Sequence, residues 1–125
     1  MTKDTRELAL RTILLPKDTN AYGTIFGGVI LSYIDIAGAV PAKRISPNRT
    51  YVTIAMNEVV FHEPVFVGDL ISFYASVKQV GTSSITVSVD VLVERKDQPG
   101  SSVQVTSADV TYVAVDENRR PVSIS

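Results

Sequence analysis

Apolar and polar residues alternate along most of the second half of the chain. In 70–80 (LISFYASVKQV), Ile71, Phe73, Ala75 and Val77 fall on one face; in 84–94 (SITVSVDVLVE), Ile85, Val87, Val89, Val91 and Val93 do the same. A period of two among β-branched residues predicts half-buried strands. The run 103–115 (VQVTSADVTYVAV) predicts a last long strand, and 51–61 (YVTIAMNEVVF) is apolar on both faces, as a central or an interface strand would be. Residues 7–15 (ELALRTILL) predict a first strand ending at Pro16. Pro64, Gly68-Asp69 and Gly81-Thr82-Ser83 mark connections, 96–102 (KDQPGSS) is a loop, and 116–125 is a polar tail.

The stretch Pro16–Ile45 breaks this pattern. Lys17-Asp18-Thr19-Asn20 with Gly23 is turn chemistry. Gly27 and Gly28 then open VILSYIDIAGAV, which is apolar almost all round and predicts a fully buried helix. Ala37, Gly38, Ala39 and Ala42 are small enough for a sheet to close on its second half. Pro41 removes one backbone hydrogen bond and is expected to kink or end the helix. Lys43 and Arg44 suit the negative end of the helix dipole, and 46–49 (SPNR) is a loop. The order is strand, long helix, then four long strands. That predicts an α+β fold, a long central helix wrapped by a curved antiparallel sheet of about five to six strands, as a single domain over 1–125.

Composition narrows the chemistry. At 125 residues there is room for one core, and a net charge of −1 offers no basic field for nucleic acid and no polybasic membrane patch. The chain has no cysteine and one histidine, which excludes thiol nucleophiles, thiolate metal sites and a histidine-rich zinc site. The first sixteen residues lack the apolar core of a secretory signal, and the helix falls short of a membrane span. These features predict a cytoplasmic protein without a metal.

Asp35 is the sharp feature. It sits alone in an apolar helix, where desolvation disfavours its charge unless a partner compensates. A structural acid bonded to nearby backbone is the commoner explanation; a general base or nucleophile in a dry site is the other. The helix start supplies a second element, because free N–H groups at Gly27 and Gly28 can stabilise an oxyanion. Eight positions separate Gly27 from Asp35, about 12 Å at ~1.5 Å rise per residue. One small carbonyl cannot touch both in a single chain, so a catalytic role for both requires a dimer with the site at its interface. Asn20 is either a turn-former or a presented amide.

The motif P-x-D-T-N-A-x-G-x-I-F-G-G followed by I-D-x-A-G-A resembles the YciA-type acyl-CoA thioesterases of the hotdog-fold superfamily. VTIAMNEVVFHEPVFVGD, VGTSSI and ADVTYVAVD continue the likeness over nearly the whole chain. The resemblance implies a hotdog fold and hydrolysis of acyl-CoA to a free acid and CoA without a cofactor. It places Asp35 on the catalytic acid, Asn20 on the residue that positions substrate or water, and Gly27 and Gly28 on the oxyanion contact. It also implies that Asp comes from one subunit and Asn and Gly from the other, in homodimers commonly assembled as trimers of dimers. Phe26 stands where many relatives have His, and Thr82 where some have Arg.

Anionic CoA needs basic or hydroxyl partners. Lys43, Arg44, Arg49, Thr82, Ser83 and Ser84 are candidates, with Lys78 and Arg95 near strand ends; each is also ordinary surface or turn chemistry. Tyr22, Phe26 and Tyr33 are candidates for an acyl channel, or for packing. His62 lies beside Glu63 without a serine motif, so a serine triad is not expected. The competing reading is a non-catalytic acyl-CoA-binding or sensing module. A hydratase would need an Asp/His pair near the helix.

Overall fold

The alternating runs pair as antiparallel neighbours wherever a short link joins them. The computed structural model describes residues 6–124, so residues 1–5 and 125 of the expected 1–125 domain lie outside the described residues. Its strands are β1 (Glu7–Thr12), β2 (Thr50–Phe61), β3 (Leu70–Val80), β4 (Ser84–Glu94) and β5 (Ser102–Val115). They form one five-stranded sheet in the order β1-β3-β4-β5-β2, every pair antiparallel. The helix α1 (Gly27–Ile45) lies on one face, chiefly against β3 and β4. This is the hotdog architecture. Among the described residues no helix is long and apolar enough to cross a membrane.

Side-chain size explains the closeness of helix and sheet. From β3–β5 the inner face presents Phe73, Val87, Val89, Val91, Val110 and Tyr112, and α1 answers with Ile30, Ile34, Ala37, Gly38, Pro41 and Ala42, all buried. Gly38 is the tightest point. A Cβ there would run into the Tyr112 hydroxyl, which donates to the Asp35 carbonyl at 2.6 Å. Beyond the core, the V-G-D turn has its own logic. Gly68 takes a left-handed φ of 94°. The Asp69 carboxylate accepts from the Phe66 N–H at 2.9 Å and from Arg95 at 2.5 Å, and the guanidinium of Arg95 stacks over Phe66.

Four expectations need correction. The helix is not fully buried in the single chain: Gly28, Ser32, Ile36 and Lys43 lie along an exposed stripe, and Ile36 is 57% exposed. One sheet covers one side of a helix, and nothing in the chain covers the other. Pro41 does not end α1, which runs on to Ile45. Its ring is buried against the sheet, and the bond it removes falls little more than one turn before the helix end. The strand over 51–61 is an edge strand, not a central one. Two bulges, at Thr53/Ala55 and Asn57/Val60, switch which residues face inward, and Glu58 sits in the second with φ 55°. That switching makes both faces read as apolar. Val77, expected on the inner face, is exposed because β3 extends past the helix beyond Ala75.

The first strand also stops early. Ile13 to Leu15 leave the sheet, Leu14 enters the core, and a single 3-10 turn follows at Pro16–Asp18.

Replacing Gly38 by Ala tests the helix–sheet contact. The new methyl gains about 1 kcal/mol of helix propensity but overpacks against Tyr112. The expected net loss is about 1–2 kcal/mol, read as a lower urea midpoint; an unchanged or higher midpoint would show that Tyr112 yields freely.

Candidate active site

Asp35 lies midway along α1, at the border between its buried and exposed faces. Thr53 and Tyr112 are direct cross-strand partners on β2 and β5, and both reach it. The Thr53 hydroxyl donates to Asp35 Oδ1 at 2.6 Å, and the Tyr112 hydroxyl donates to the Asp35 carbonyl at 2.6 Å. One bond holds the carboxylate and the other holds its backbone. Among the described residues no hydrogen bond reaches Oδ2. Burial, and then the negative charge of Asp35, push the ionisation of the Tyr112 phenol above its ordinary value. Around the carboxylate opens a cavity of about 450 Å³, lined by Ile36, Ala39, Lys43, Tyr51, Thr53 and Tyr112.

The other half-site is built at the start of the same helix. Phe26 occupies the N-cap position without a side-chain cap, and the N–H groups of Gly27 and Gly28 donate to no acceptor among the described residues. Both glycines sit against rings. A Cβ at Gly27 would come 3.3 Å from Phe61, and one at Gly28 would come 2.8 Å from Phe26. A separate cavity of about 340 Å³ opens beside Gly27, with Ile25, Ile30, Phe61, Val65 and Thr106 in its walls. It shares no residue with the cavity at Asp35.

Asn20 closes the loop that precedes this helix. Its Oδ1 accepts from the Tyr22 and Thr24 amides at 2.8 and 3.2 Å, and its Nδ2 donates to the Thr24 hydroxyl at 2.8 Å. Gly23, at φ 87°, lets the chain turn back to make these bonds. Asn20 is therefore a turn-former, and it keeps one amide proton without a partner among the described residues. Asp18 tightens the same segment by accepting from the Leu15 N–H at 3.0 Å. That bond, and then Lys17, hold its carboxyl below the usual range.

The chain brings Asn20, Gly27 and Gly28 to one end of α1 and leaves Asp35 about two turns away. Among the cations, Lys43 lines the Asp35 cavity and its ammonium lies 3.4 Å from the Arg49 carbonyl. Arg44 pairs with Glu7, Lys78 with Asp109, and Arg95 with the buried Asp69, so the last two are committed to the sheet. The Arg49 guanidinium has no partner among the described residues and borders a separate cavity. Thr82 and Ser83 lie in the β3–β4 link and Ser84 opens β4; the Thr82 carbonyl accepts from the Ile124 N–H of the C-terminal tail, and the Ser83 carbonyl from the Ala114 N–H of β5. Tyr22 is 91% exposed, Phe26 is exposed, and Tyr33 packs on Phe73 at 5.9 Å between ring centroids. His62 lies 3.3 Å from the Ser107 hydroxyl, at the mouth of the Gly27 cavity.

Sequence reasoning missed Thr53 and Tyr112 because each reads as an ordinary strand residue. The only signal was a hydroxyl among apolar neighbours in each strand.

Comparison with known proteins agrees with this architecture. Residues 22–99 match the thioesterase superfamily. The acyl-CoA thioester hydrolase YciA of Escherichia coli is 41% identical over 117 residues, covering 92% of this chain and 88% of that one. A hexameric hotdog-fold thioesterase of Campylobacter jejuni superposes with a TM-score of 0.89 at 48% identity, covering 98% of this chain and 93% of that one. A hexameric broad-specificity acyl-coenzyme A thioesterase, solved with one aspartate replaced by alanine, gives a TM-score of 0.88 at 41% identity over 95% of this chain and 86% of its own.

The Tyr112 environment predicts an alkaline signature. A phenol whose folded ionisation lies above the unfolded value of about 10 stabilises the fold below that pH, and loses that contribution as pH rises past it. Absorbance titration should show a tyrosine that ionises above the ordinary phenol range, with stability falling above about pH 10. Tyr112→Phe should remove that late step. A late step that Tyr112→Phe leaves in place, or none in the wild type, would contradict it.

Proposed function

The chain belongs to the thioesterase superfamily, on its acyl-CoA thioester hydrolase branch, and we propose that it hydrolyses acyl-CoA to a free carboxylic acid and CoA in sites shared by two copies. One observation carries the reading: two complementary half-sites on one helix, each incomplete and about 12 Å from the other. An antiparallel pairing of helices brings the Gly27 N–H groups of one copy to the partner's Asp35.

In that arrangement the thioester oxygen accepts from the free N–H groups of Gly27 and Gly28, at the positive end of the helix dipole. Thr53 holds Oδ1 of Asp35, so Oδ2 faces the reacting carbon. Two routes fit this geometry. In the first, Asp35 takes a proton from water as the water oxygen attacks the carbonyl carbon. The tetrahedral oxyanion collapses, the C–S bond breaks, and the proton passes to the CoA sulfur. In the second, Oδ2 attacks directly, CoA leaves, and water hydrolyses the resulting anhydride. The remaining amide proton of Asn20 is placed to orient substrate or water. Lys43 and Arg49, beyond Asp35, suit the anionic end of CoA; Arg44 and the Thr82, Ser83, Ser84 link are the weaker contributors to the same surface. Asp35, the helix N–H groups and water account for each step, so the proposed route calls on no cofactor.

The uncovered surfaces support the dimer. β2 is a twelve-residue edge strand with Ile54, Val60 and Phe61 exposed, beside Ile36 and Phe26 of the helix region. A long apolar edge of this kind is a template for pairing with another chain. The hexameric relatives favour a homo-oligomer, and a trimer of dimers is the form that shared sites would give it. A single domain over 1–125 and a cytoplasmic location, where acyl-CoA esters are handled, complete the reading.

Asp35→Asn should lower kcat by at least ~100-fold, the worth of a lost general base, with folding unchanged by circular dichroism. Thr53→Val should lower kcat less, by about tenfold, through loss of one charge-assisted hydrogen bond. Wild-type protein that releases no CoA from short, medium or long acyl-CoA would overturn the activity. A single turnover in ¹⁸O-water gives the anhydride route a signature of its own, ¹⁸O in the Asp35 carboxylate with an unlabelled acid released, which the water route cannot produce.

Ile54→Glu places a charge on the free edge of β2. Light scattering should show monomers with CoA release reduced by at least ~100-fold, since each half-site would lose its complement. Fully active monomers would eliminate the shared site.

A further inference from the structure

Thr106 takes no part in the scheme above. It lies on the inner face of β5 and is 0% exposed, yet its Oγ1 has no hydrogen-bond partner. Inner-face neighbours show what this position would otherwise hold: Ala108, Val110 and Ala114 are apolar, and the hydroxyl of Tyr112 is bonded to Asp35. A valine would fill the same volume without an unpaired polar atom, so an orphaned buried hydroxyl needs a reason. Thr106 also borders the cavity beside Gly27, whose apolar lining is Ile25, Ile30, Phe61, Pro64 and Val65. Of the other polar side chains that line it, His62 and Glu63 are exposed and the Thr24 hydroxyl is bonded to Asn20, so Thr106 is the one that is buried and unpartnered. Such a cavity suits a ligand that is mostly hydrocarbon and carries an oxygen deep in the site.

The position of the cavity decides which part of a ligand it takes. With a thioester oxygen on the Gly27 N–H, the CoA moiety leads away towards the partner's Asp35 and its cations. The acyl chain then enters the space between α1 and the sheet. At about 30 Å³ for a group the size of water, 340 Å³ holds roughly ten such groups, which fits short and medium chains. Phe61 is the cross-strand partner of Thr106, half exposed, and its ring covers Gly27. It is the side chain whose movement opens the way to Oγ1.

We propose that Thr106 is a specificity-determining residue whose hydroxyl bonds an oxygen substituent, hydroxyl or oxo, on the acyl chain. Chains so substituted are then preferred over plain chains of the same length. This inference rests on the thioesterase reading, and it adds the chemical class of the acyl group. Tyr51, the other described residue with a buried unpartnered hydroxyl, lies at the Asp35 cavity and does not face this one.

The test compares kcat/KM for 3-hydroxybutyryl-CoA and butyryl-CoA in wild type, Thr106→Val and Thr106→Ser. Wild type should favour the hydroxylated substrate. Thr106→Val should lower the ratio of the two values about three- to tenfold, the worth of one neutral hydrogen bond, and Thr106→Ser should restore it. Circular dichroism and thermal melts establish that the variants fold; Thr106→Ala, which also lacks the hydroxyl, should lower the ratio in the same way and decides the matter if Thr106→Val does not fold. An unchanged ratio in Thr106→Val, or no preference in wild type while butyryl-CoA is hydrolysed, overturns the role of Thr106 and leaves the thioesterase standing. Wild type inert on both substrates overturns the activity itself, and this inference with it.

Discussion

The contact between Tyr112 and the helix sets the geometry of everything else. The phenol fits where Gly38 lacks a side chain, and its hydroxyl ties the Asp35 carbonyl to β5. Both interactions act within one turn of the helix. They fix the rotation and the height of α1 on the sheet together, since sliding or turning the helix would break the bond or close the gap. The carboxylate of Asp35 inherits that placement, and Thr53, paired with Tyr112 across the strands, completes it.

A helix held this way has two different ends and two different faces. Its first turn is free of capping side chains and keeps its N–H groups available. Its middle carries the acid, and its buried side is packed against the sheet except beside the first turn, where the cavity at Gly27 opens. Rigid placement is what a catalytic constellation requires, because a small misplacement of a reacting group is expensive in rate. The same rigidity prevents α1 from bringing its own ends together. The proposed second copy would answer a distance that cannot be bent away.

The uncovered apolar surface belongs to the same design. Ile36 on the helix and Ile54, Val60 and Phe61 on the edge of β2 lie beside the two half-sites. Covering them by a partner would remove water from the reacting groups as well as apolar area from solvent, which strengthens electrostatic stabilisation in the site. Stability of the assembly and chemistry at its interface would then rest on the same contacts.

Much of this was legible in the residues themselves. Period-two runs with short links between them specify antiparallel strands, because inward and outward positions must alternate on a pleated sheet. The bounds of β3 and β4 therefore match the sequence pattern to the residue, and the inward positions of β4 follow it throughout. The two glycines ahead of an apolar run, and one acid within it, marked α1 and both half-sites. The distance between them followed from helical rise alone. Other features depended on non-local contacts. Nothing local says that Pro41 is carried within α1, that bulges make β2 an edge with two apolar faces, or that Val77 overruns the core. Thr53, Tyr112 and Thr106 read as plain strand residues. What distinguishes them is the partner each meets or lacks, across 18 positions to Asp35 for Thr53 and 77 for Tyr112. Periodicity reports which way a side chain points; only the folded chain decides what is there to meet it.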